Sequence, residues 1–204
     1  MGRAADPPYR ITTERLTIRC WNPEDAPLLK EAIDSSLDHL RPWMPWAQEE
    51  PRPLDAKVQL LRQFRGLFDT GQDFVYGIFD AEESEVVGGT GLHTRVGDHA
   101  FEIGYWIRAS RAREGLATEA VSALTRVAFA VSGVERVEIR VDPANVASLG
   151  IPRKLGFHEE ATLRMRLPSG ADAVVFSMFG EDVERTPVAA AQLEAFDAAD
   201  ERVL

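Results

Sequence analysis

Cysteine is nearly absent: Cys20 is the single one in 204 residues. An internal disulfide is excluded, as is a zinc cage built on thiolates. Nothing in the sequence sets a base beside Cys20, so it reads as a small buried hydrophobe and not as a nucleophile. His93, His99 and His158 stand at no metal-ligand spacing and no H-E-x-x-H occurs, so the chemistry is expected to need no metal. Positive charge is in deficit, with 23 Lys and Arg against 33 Asp and Glu and a formal charge of −10. A general nucleic-acid binder would need a broad basic face; the acidic balance mildly favours a cationic or amine-bearing partner. No apolar run approaches the roughly 18 residues of a membrane span, and no signal-peptide pattern opens the chain. A cytoplasmic protein with no membrane partner is expected. Internal repeats are missing too. At 45% hydrophobic and 27% charged, the chain reads as one domain with a substantial core, monomer or homodimer.

What is present centres on Phe101 to Phe129. Phe101, Ile103, Tyr105 and Ile107 alternate with Glu102, Gly104 and Trp106, the period of two of a half-buried strand. A turn follows in which Arg108, Arg111 and Arg113 cluster against the overall charge. From Ala117, the positions Val121, Leu124, Ala128 and Val131 keep helical spacing. Strand, glycine-bearing basic turn and helix together can grip phosphate. First-turn amides lack intrahelical partners, and the helix dipole favours an anion there. Gly115 and Ala117, almost without side chains, admit a phosphate close to the backbone. G-K-[ST] is missing, which excludes the usual nucleoside-triphosphate loop with magnesium and leaves a pyrophosphate held by backbone. A G-x-A at a strand-to-helix turn also occurs in α/β proteins that bind no phosphate.

The run Arg111-Ala-Arg-Glu-Gly115-Leu-Ala117-Thr-Glu-Ala resembles the acetyl-CoA pyrophosphate loop, [QR]-x-x-G-x-[GA], of the GNAT N-acetyltransferases. Its Ala-Thr-Glu-Ala continuation is similar to the RimJ/RimL-like branch, the ribosomal-protein N-terminal acetyltransferase type. The [QR] slot falls on Ala112, with Arg111 beside it. A second stretch, Asn145-Val-Ala-Ser148 through Lys154-Leu-Gly-Phe157, resembles the N-x-x-S…K-L-G-F segment of the same branch, but with Gly150 and Pro152 inside the helix. Pro152 cannot donate to the carbonyl of Ser148, which predicts a kink. Without the resemblance, Asn145 is a helix cap and Ser148 an ordinary helix serine.

The likeness covers roughly residues 10–180 and implies an α/β (α+β) GNAT fold. That fold is a mixed, mostly antiparallel twisted sheet of about seven strands, with a splayed parallel pair and helices on both faces. It implies acetyl-CoA as co-substrate. The cofactor contacts it implies are Ile103, Tyr105, Ile107, Arg108, Arg113, Glu114, Gly115, Leu116, Ala117, Thr118, Asn145, Ser148 and Lys154.

Along the chain, residues 1–9 read as a loose leader, 10–180 as the domain and 181–204 as an acidic tail, frayed or forming a short helix. Glu14 to Trp21 alternates as the first strand. Asn22 caps a helix running to about Ser35, with Pro23 at its first position. In Leu37 to Trp46, Pro42 and Pro45 prevent a regular helix, so Trp43 and Trp46 come from an irregular loop. They either pin that loop to the core or wall a substrate cleft. The resemblance puts this region on the acceptor side, where His39 and Arg41 meet substrate or solvent. Leu54 to Asp69 is an amphipathic helix. Phe74–Phe79 and Glu85–His93 form a hairpin, whose Gly88, Gly89 and Gly91 mark a bulge or a close backbone approach. Val134 to Val141 returns through a helical crossover, parallel to the central strand. A helix over Val146–Leu155 stops at Gly156, and Ala161–Leu167 pairs with Ala173–Phe179.

Acyl transfer from a thioester needs a base for the acceptor ammonium, an amide for the oxyanion and a proton donor for the thiolate. Glu102, on the central strand where the cleft opens, is the candidate base; it reads equally well as a carboxylate paired with an arginine. Amides near Gly104 and Tyr105 are candidates for the oxyanion. Ser148 resembles the family serine that protonates the departing sulfur. Some members carry an acid after K-L-G-F, a place this chain gives to Leu163 and Leu167, so that acid is either absent or replaced by Glu102, Glu159 or Glu160. The expected function is direct acetyl transfer from acetyl-CoA to a primary amine, on a small molecule or a protein N-terminus. The rivals are a non-catalytic acetyl-CoA sensor and an ATP-binding protein using the same loop.

Overall fold

The computed structural model describes residues 5–204. The expected first strand is two: β1 (Arg10–Thr12) and β2 (Leu16–Cys20) form a hairpin. Thr13 Oγ1 closes the hairpin by accepting the Leu16 N–H at 3.1 Å. Asn22-Pro23 opens a 3-10 turn that runs into α1 (Ala26–Asp34), and Asp25 caps the entry by accepting the Asn22 N–H at 2.8 Å. One further turn, α2 (Leu37–Leu40), stops short of Pro42. Then come α3 (Leu54–Asp69), β3 (Phe74–Asp80), β4 (Val86–His93) and β5 (Ala100–Ile107). α4 (Leu116–Ala130), β6 (Arg136–Val141) and α5 (Val146–Leu155) complete the crossover. β7 (His158–Leu163) and β8 (Ala173–Phe179) form the last hairpin. α5 continues through a buried Pro152 and ends at Gly156, which is left-handed at φ +83°.

Among the described residues these eight strands and a ninth, β9 (Glu194–Phe196), make one sheet in the order β7-β8-β6-β5-β4-β3-β2-β1-β9. Two more strands than expected arise from the β1–β2 hairpin and from β9, which pairs antiparallel with β1. Residues 181–204 are therefore partly sheet: two 3-10 turns lead into a strand that covers the β1 edge. The leader expected over residues 1–9 is docked in its described part. Tyr9 donates its N–H to Phe196 at 2.9 Å, its ring packs on Phe68, and Pro8 accepts from the buried Tyr76 hydroxyl at 2.8 Å. Residues 1–4 lie outside the described part.

Alternation assigns the two faces of the sheet. Phe101 and Ile103 pack with Leu116, Ala120, Val121 and Leu124 of α4 in one core, and Tyr105 and Ile107 lean on it. The other face carries Trp21, Phe79 and Trp106 against α1 and α3. Each fully buried Phe or Ile of these clusters contributes roughly 1.5–3 kcal/mol. Cys20 is buried, and burial pushes its thiol up, as suits a packing residue. No helix among the described residues is long and apolar enough to cross a membrane.

Candidate functional site

β5 and β6 run parallel, but they pair only through Ala100–Glu102 with Arg136–Glu138. Beyond Glu102 the strands part, and a gap opens through the sheet. Arg108, just past β5, donates its N–H to Val87 at 2.8 Å. Even-numbered residues of β5 thus turn their backbone to β4, and Ile103, Tyr105 and Ile107 turn theirs into the gap. That parity corrects one expectation: the Gly104 amide faces β4, and Thr90 Oγ1 donates to the Gly104 carbonyl at 2.8 Å. The free amide at the mouth is that of Tyr105.

At the top of the gap, α4 begins at Leu116, one residue before the expected start. Its N-cap is Gly115 at φ +84°, a left-handed conformation, and no side chain caps it. Glu119 makes the first intrahelical bond, N–H to Gly115 O at 3.1 Å, so the amides of Leu116, Ala117 and Thr118 are left for an outside acceptor. Arg113 is also left-handed, at φ +68°. Among the described residues, neither Arg113 nor Lys154 has a recorded ion pair, so two cations flank the turn uncompensated. Arg108 does not join them. Buried, it binds Glu31 at 2.7 Å and Glu85 at 2.9 Å on the other face of the sheet, because its even parity sends it there. The expected cofactor contact of Arg108 is thus corrected. Arg111 is likewise held by Glu85 and Glu114.

Arg15 was not foreseen. Glu119 holds it at 2.6 Å, and its Nη1 donates to Glu114 O at 3.0 Å, which braces the turn. A cavity of about 630 Å³ opens here, lined among others by Arg15, Gly115, Thr118, Ser122 and Lys154. A second, of about 620 Å³, lies by Thr94, Ala100 and Phe101, where β5 and β6 are still paired.

On the α4–α5 side, Tyr105 reaches across the gap. Its hydroxyl is 2.9 Å from Ser148 Oγ and donates to the Ser148 carbonyl at 3.2 Å. Asn145 is the cap of α5, accepting the Ser148 N–H at 3.1 Å, and so fixes where Ser148 stands. Burial pushes Tyr105 up to about 12, against the opposing bond with Ser148.

The other two tyrosines of the chain are raised as well. Tyr9 goes to about 12, by burial and then by the hydrogen bond to Asp69; Tyr76 is pushed well up by complete burial. An unfolded tyrosine ionises near about 10. The stability these phenols contribute is present below that pH and is lost as pH rises towards 12. Tyrosinate absorbance is expected to stay flat through about pH 10 and then to rise together with loss of the far-ultraviolet dichroism. A tyrosinate transition near the ordinary value in a folded protein would contradict this.

The α1–α3 side carries different groups. Trp46 meets Trp106 edge-on at 5.9 Å, while Trp43 and His39 are exposed with no recorded contact to the cleft. Arg41 donates to the carbonyl of Glu50 at 2.8 Å, so it holds its own loop. Glu102 is buried and takes the second of its two readings. Arg95 reaches both carboxylate oxygens, at 2.5 and 3.1 Å, and Arg140 stands at 3.6 Å. Glu159 is paired with Arg153 at 2.8 Å, and Glu160 accepts from Ser177.

Opposite Glu102 sits His93, which the sequence suggests only as a metal ligand to be excluded. Its Nδ1 is 3.0 Å from both oxygens of Asp73. The available signal was the hairpin register: Phe74 opposes Leu92, so Asp73 must oppose His93. The strand glycines mark close approaches. A Cβ on Gly89 would meet the Trp106 ring at 2.5 Å, and one on Gly91 the His93 ring at 2.8 Å.

A family model described as the acetyltransferase (GNAT) domain matches residues 15–158. The ribosomal protein uS5-alanine N-acetyltransferase of Escherichia coli is 29% identical over 163 residues, covering 78% of this chain and 82% of that protein. Two solved structures share the fold at lower identity. RimJ of Mycobacterium smegmatis, in complex with CoA-disulfide, superposes with a TM-score of 0.77 at 22% identity, over 95% and 99% of the two chains. MccE, a self-immunity acetyltransferase in complex with acetyl-CoA and AMP, gives 0.73 at 19% identity, over 82% and 93%. The strand gap, the uncapped first turn of α4 and these likenesses agree: the chain belongs to the GNAT acetyltransferase family, in its RimJ/RimL-like branch, and is an acetyl-CoA-dependent N-acyltransferase.

Proposed function

We propose that the protein acetylates a primary amine by direct transfer in a ternary complex, with donor and acceptor entering the gap from opposite faces of the sheet. The observation that carries this is the division of groups across the gap. Tyr105 and Ser148 lie on the α4–α5 side, and Glu102, His93 and the Trp46–Trp106 wall on the other.

The donor supplies an activated acetyl thioester. The amides of Leu116, Ala117 and Thr118 suit its diphosphate, because first-turn N–H groups and the helix dipole favour an anion. Arg113 and Lys154 add charge beside them, with Glu114 and Gly115 shaping the turn. Ile103, Tyr105 and Ile107 offer backbone to the pantetheine arm, and the Tyr105 amide faces the position where an oxyanion develops. Ser148, set by Asn145, protonates the leaving sulfur, and Tyr105, a phenol throughout the neutral range, can return the proton. The acceptor class we favour is a protein N-terminal amine, on the similarity to a ribosomal-protein alanine acetyltransferase and on a net charge of −10 that attracts an ammonium group. A reducing cytoplasm suits the free Cys20.

Thiol release from acetyl-CoA, measured over a panel of short peptides with free N-termini and of small amines, tests the reading. Release with at least one peptide supports it. No release with any amine, while CoA still binds, would favour a sensor; stabilisation by ATP–magnesium and none by CoA would favour the nucleotide-binding rival. In the active protein, Ser148→Ala is expected to lower kcat about 100-fold with little change in CoA affinity. An unchanged kcat would remove Ser148 from the chemistry.

A further inference from the structure

We infer that His93, oriented by Asp73, is the base that takes the proton from the acceptor ammonium. This rests on the acyl-transfer reading above and concerns the residue that makes it work.

Position is the first argument. His93 ends β4 directly opposite Glu102, at the last rung before β5 leaves β6. Its ring lies over strand backbone that only glycine leaves bare. Nε2 is 2.8 Å from where a Cβ on Gly91 would stand and 3.4 Å from one on Gly104. The imidazole edge is thereby held at the mouth of the gap, on the face away from Ser148. Its side chain is 18% exposed and that of Asp73 28%, sheltered yet open to an incoming amine.

Protonation geometry is the second. A carboxylate only accepts hydrogen bonds, so Nδ1, 3.0 Å from both Asp73 oxygens, carries the proton of the neutral ring. Nε2 is then the nitrogen with the free lone pair. No other hydrogen bond is recorded for Nε2 among the described residues. Glu102 differs on this point: Arg95 already engages both its oxygens, and accepting a proton would cost that ion pair.

In the step itself, the acceptor ammonium gives one proton to His93 Nε2, and the freed nitrogen lone pair forms the N–C bond to the acetyl carbonyl carbon. The C–S bond breaks with its electron pair on sulfur, which takes a proton from Ser148. The nitrogen loses its second proton to solvent as the amide forms. His93 then passes its proton to solvent and Ser148 regains one through the Tyr105 hydroxyl, so the net products are the acetamide, the free thiol and one proton, and charge and atoms balance.

The charged groups that face His93 are Asp73 from the turn before β3, Glu102 from β5 and, through Glu102, Arg95 after β4 and Arg140 of β6. The experiment uses the full chain with acetyl-CoA and whichever panel peptide the parent acetylates best, with kcat and kcat/KM followed across pH. His93→Gln is expected to lower kcat at least about 100-fold, to leave CoA binding intact and to abolish the acidic limb of the kcat/KM profile. Asp73→Asn, a change in a positioning residue, is expected to lower kcat less than His93→Gln and to leave CoA affinity unchanged, because the ring loses the partner that orients it. Glu102→Gln is expected to keep the limb. Added imidazole should partly restore His93→Ala, which a merely structural role would not allow. A His93→Gln protein with parental kcat and pH profile overturns the assignment, as does loss of the acidic limb in Glu102→Gln alone. If the parent acetylates no amine at all, the acyl-transfer reading fails first and this inference with it; if the parent is active and His93→Gln keeps its kcat and pH profile, the base assignment alone fails.

Discussion

Lys57→Met is expected to lower the unfolding free energy by about 3–5 kcal/mol, the usual cost of orphaning a buried charge. Lys57 leaves α3 to meet Glu50 in an ion pair whose side chains are 1% and 4% exposed. The other Glu50 oxygen accepts the Arg52 N–H at 2.8 Å, and Arg41 binds the Glu50 carbonyl at 2.8 Å. This knot fixes the segment that carries Trp46 to its contact with Trp106. Without Lys57 the buried carboxylate loses its counter-charge and, among the described residues, keeps only the Arg52 N–H as a hydrogen-bond donor. Adding Glu50→Gln to Lys57→Met should recover much of the loss, since a neutral amide is cheaper to bury than a carboxylate. Urea unfolding of both singles and the double measures the coupling. A single variant within about 1 kcal/mol of the parent, or a double no better than Lys57→Met, would mean the pair carries little stability.

Gly115→Val is expected to weaken CoA binding about 100-fold or more, equivalent to roughly 3 kcal/mol. A β-branched residue at φ +84° is strained, so the turn will shift towards negative φ and carry the Leu116–Thr118 amides with it. The space beside Gly115 is not the obstacle: among the described residues a Cβ there would meet only Arg15, at 3.7 Å. Gly115→Ala, sharing the sign of φ but with less crowding, should lose less. Calorimetric titration with CoA gives the comparison. Parental affinity in Gly115→Val would show that the amides do not hold the diphosphate.

Much of the architecture was legible because local pattern and tertiary environment agree. α3 occupies the span its periodicity predicts, Leu54–Asp69, and the turn into α4 was visible in Gly115 and the change of period after it. The misreadings share a physical cause, which is dependence on distant partners. Arg108 sits in a basic run yet answers to Glu31, 77 residues away, because strand parity turns it through the sheet. β9 is three residues long, too short to show a period, and exists because β1 offers it an edge. Glu102 carries two readings until Arg95, seven residues on the other side of a turn, takes its oxygens. His93 alone is an isolated histidine; it gains meaning from Asp73, 20 residues earlier, and from the bare backbone of Gly91 and Gly104.

A crystal structure with coenzyme A bound tests the central claim most directly. The diphosphate oxygens should accept hydrogen bonds from the amides of Leu116, Ala117 and Thr118, and the thiol-bearing arm should run between Ile103–Ile107 and the unpaired end of β6, with sulfur next to Ser148. A coenzyme seated elsewhere, such as the cavity beside Thr94 and Ala100, or a gap closed by β5–β6 hydrogen bonds, would contradict it.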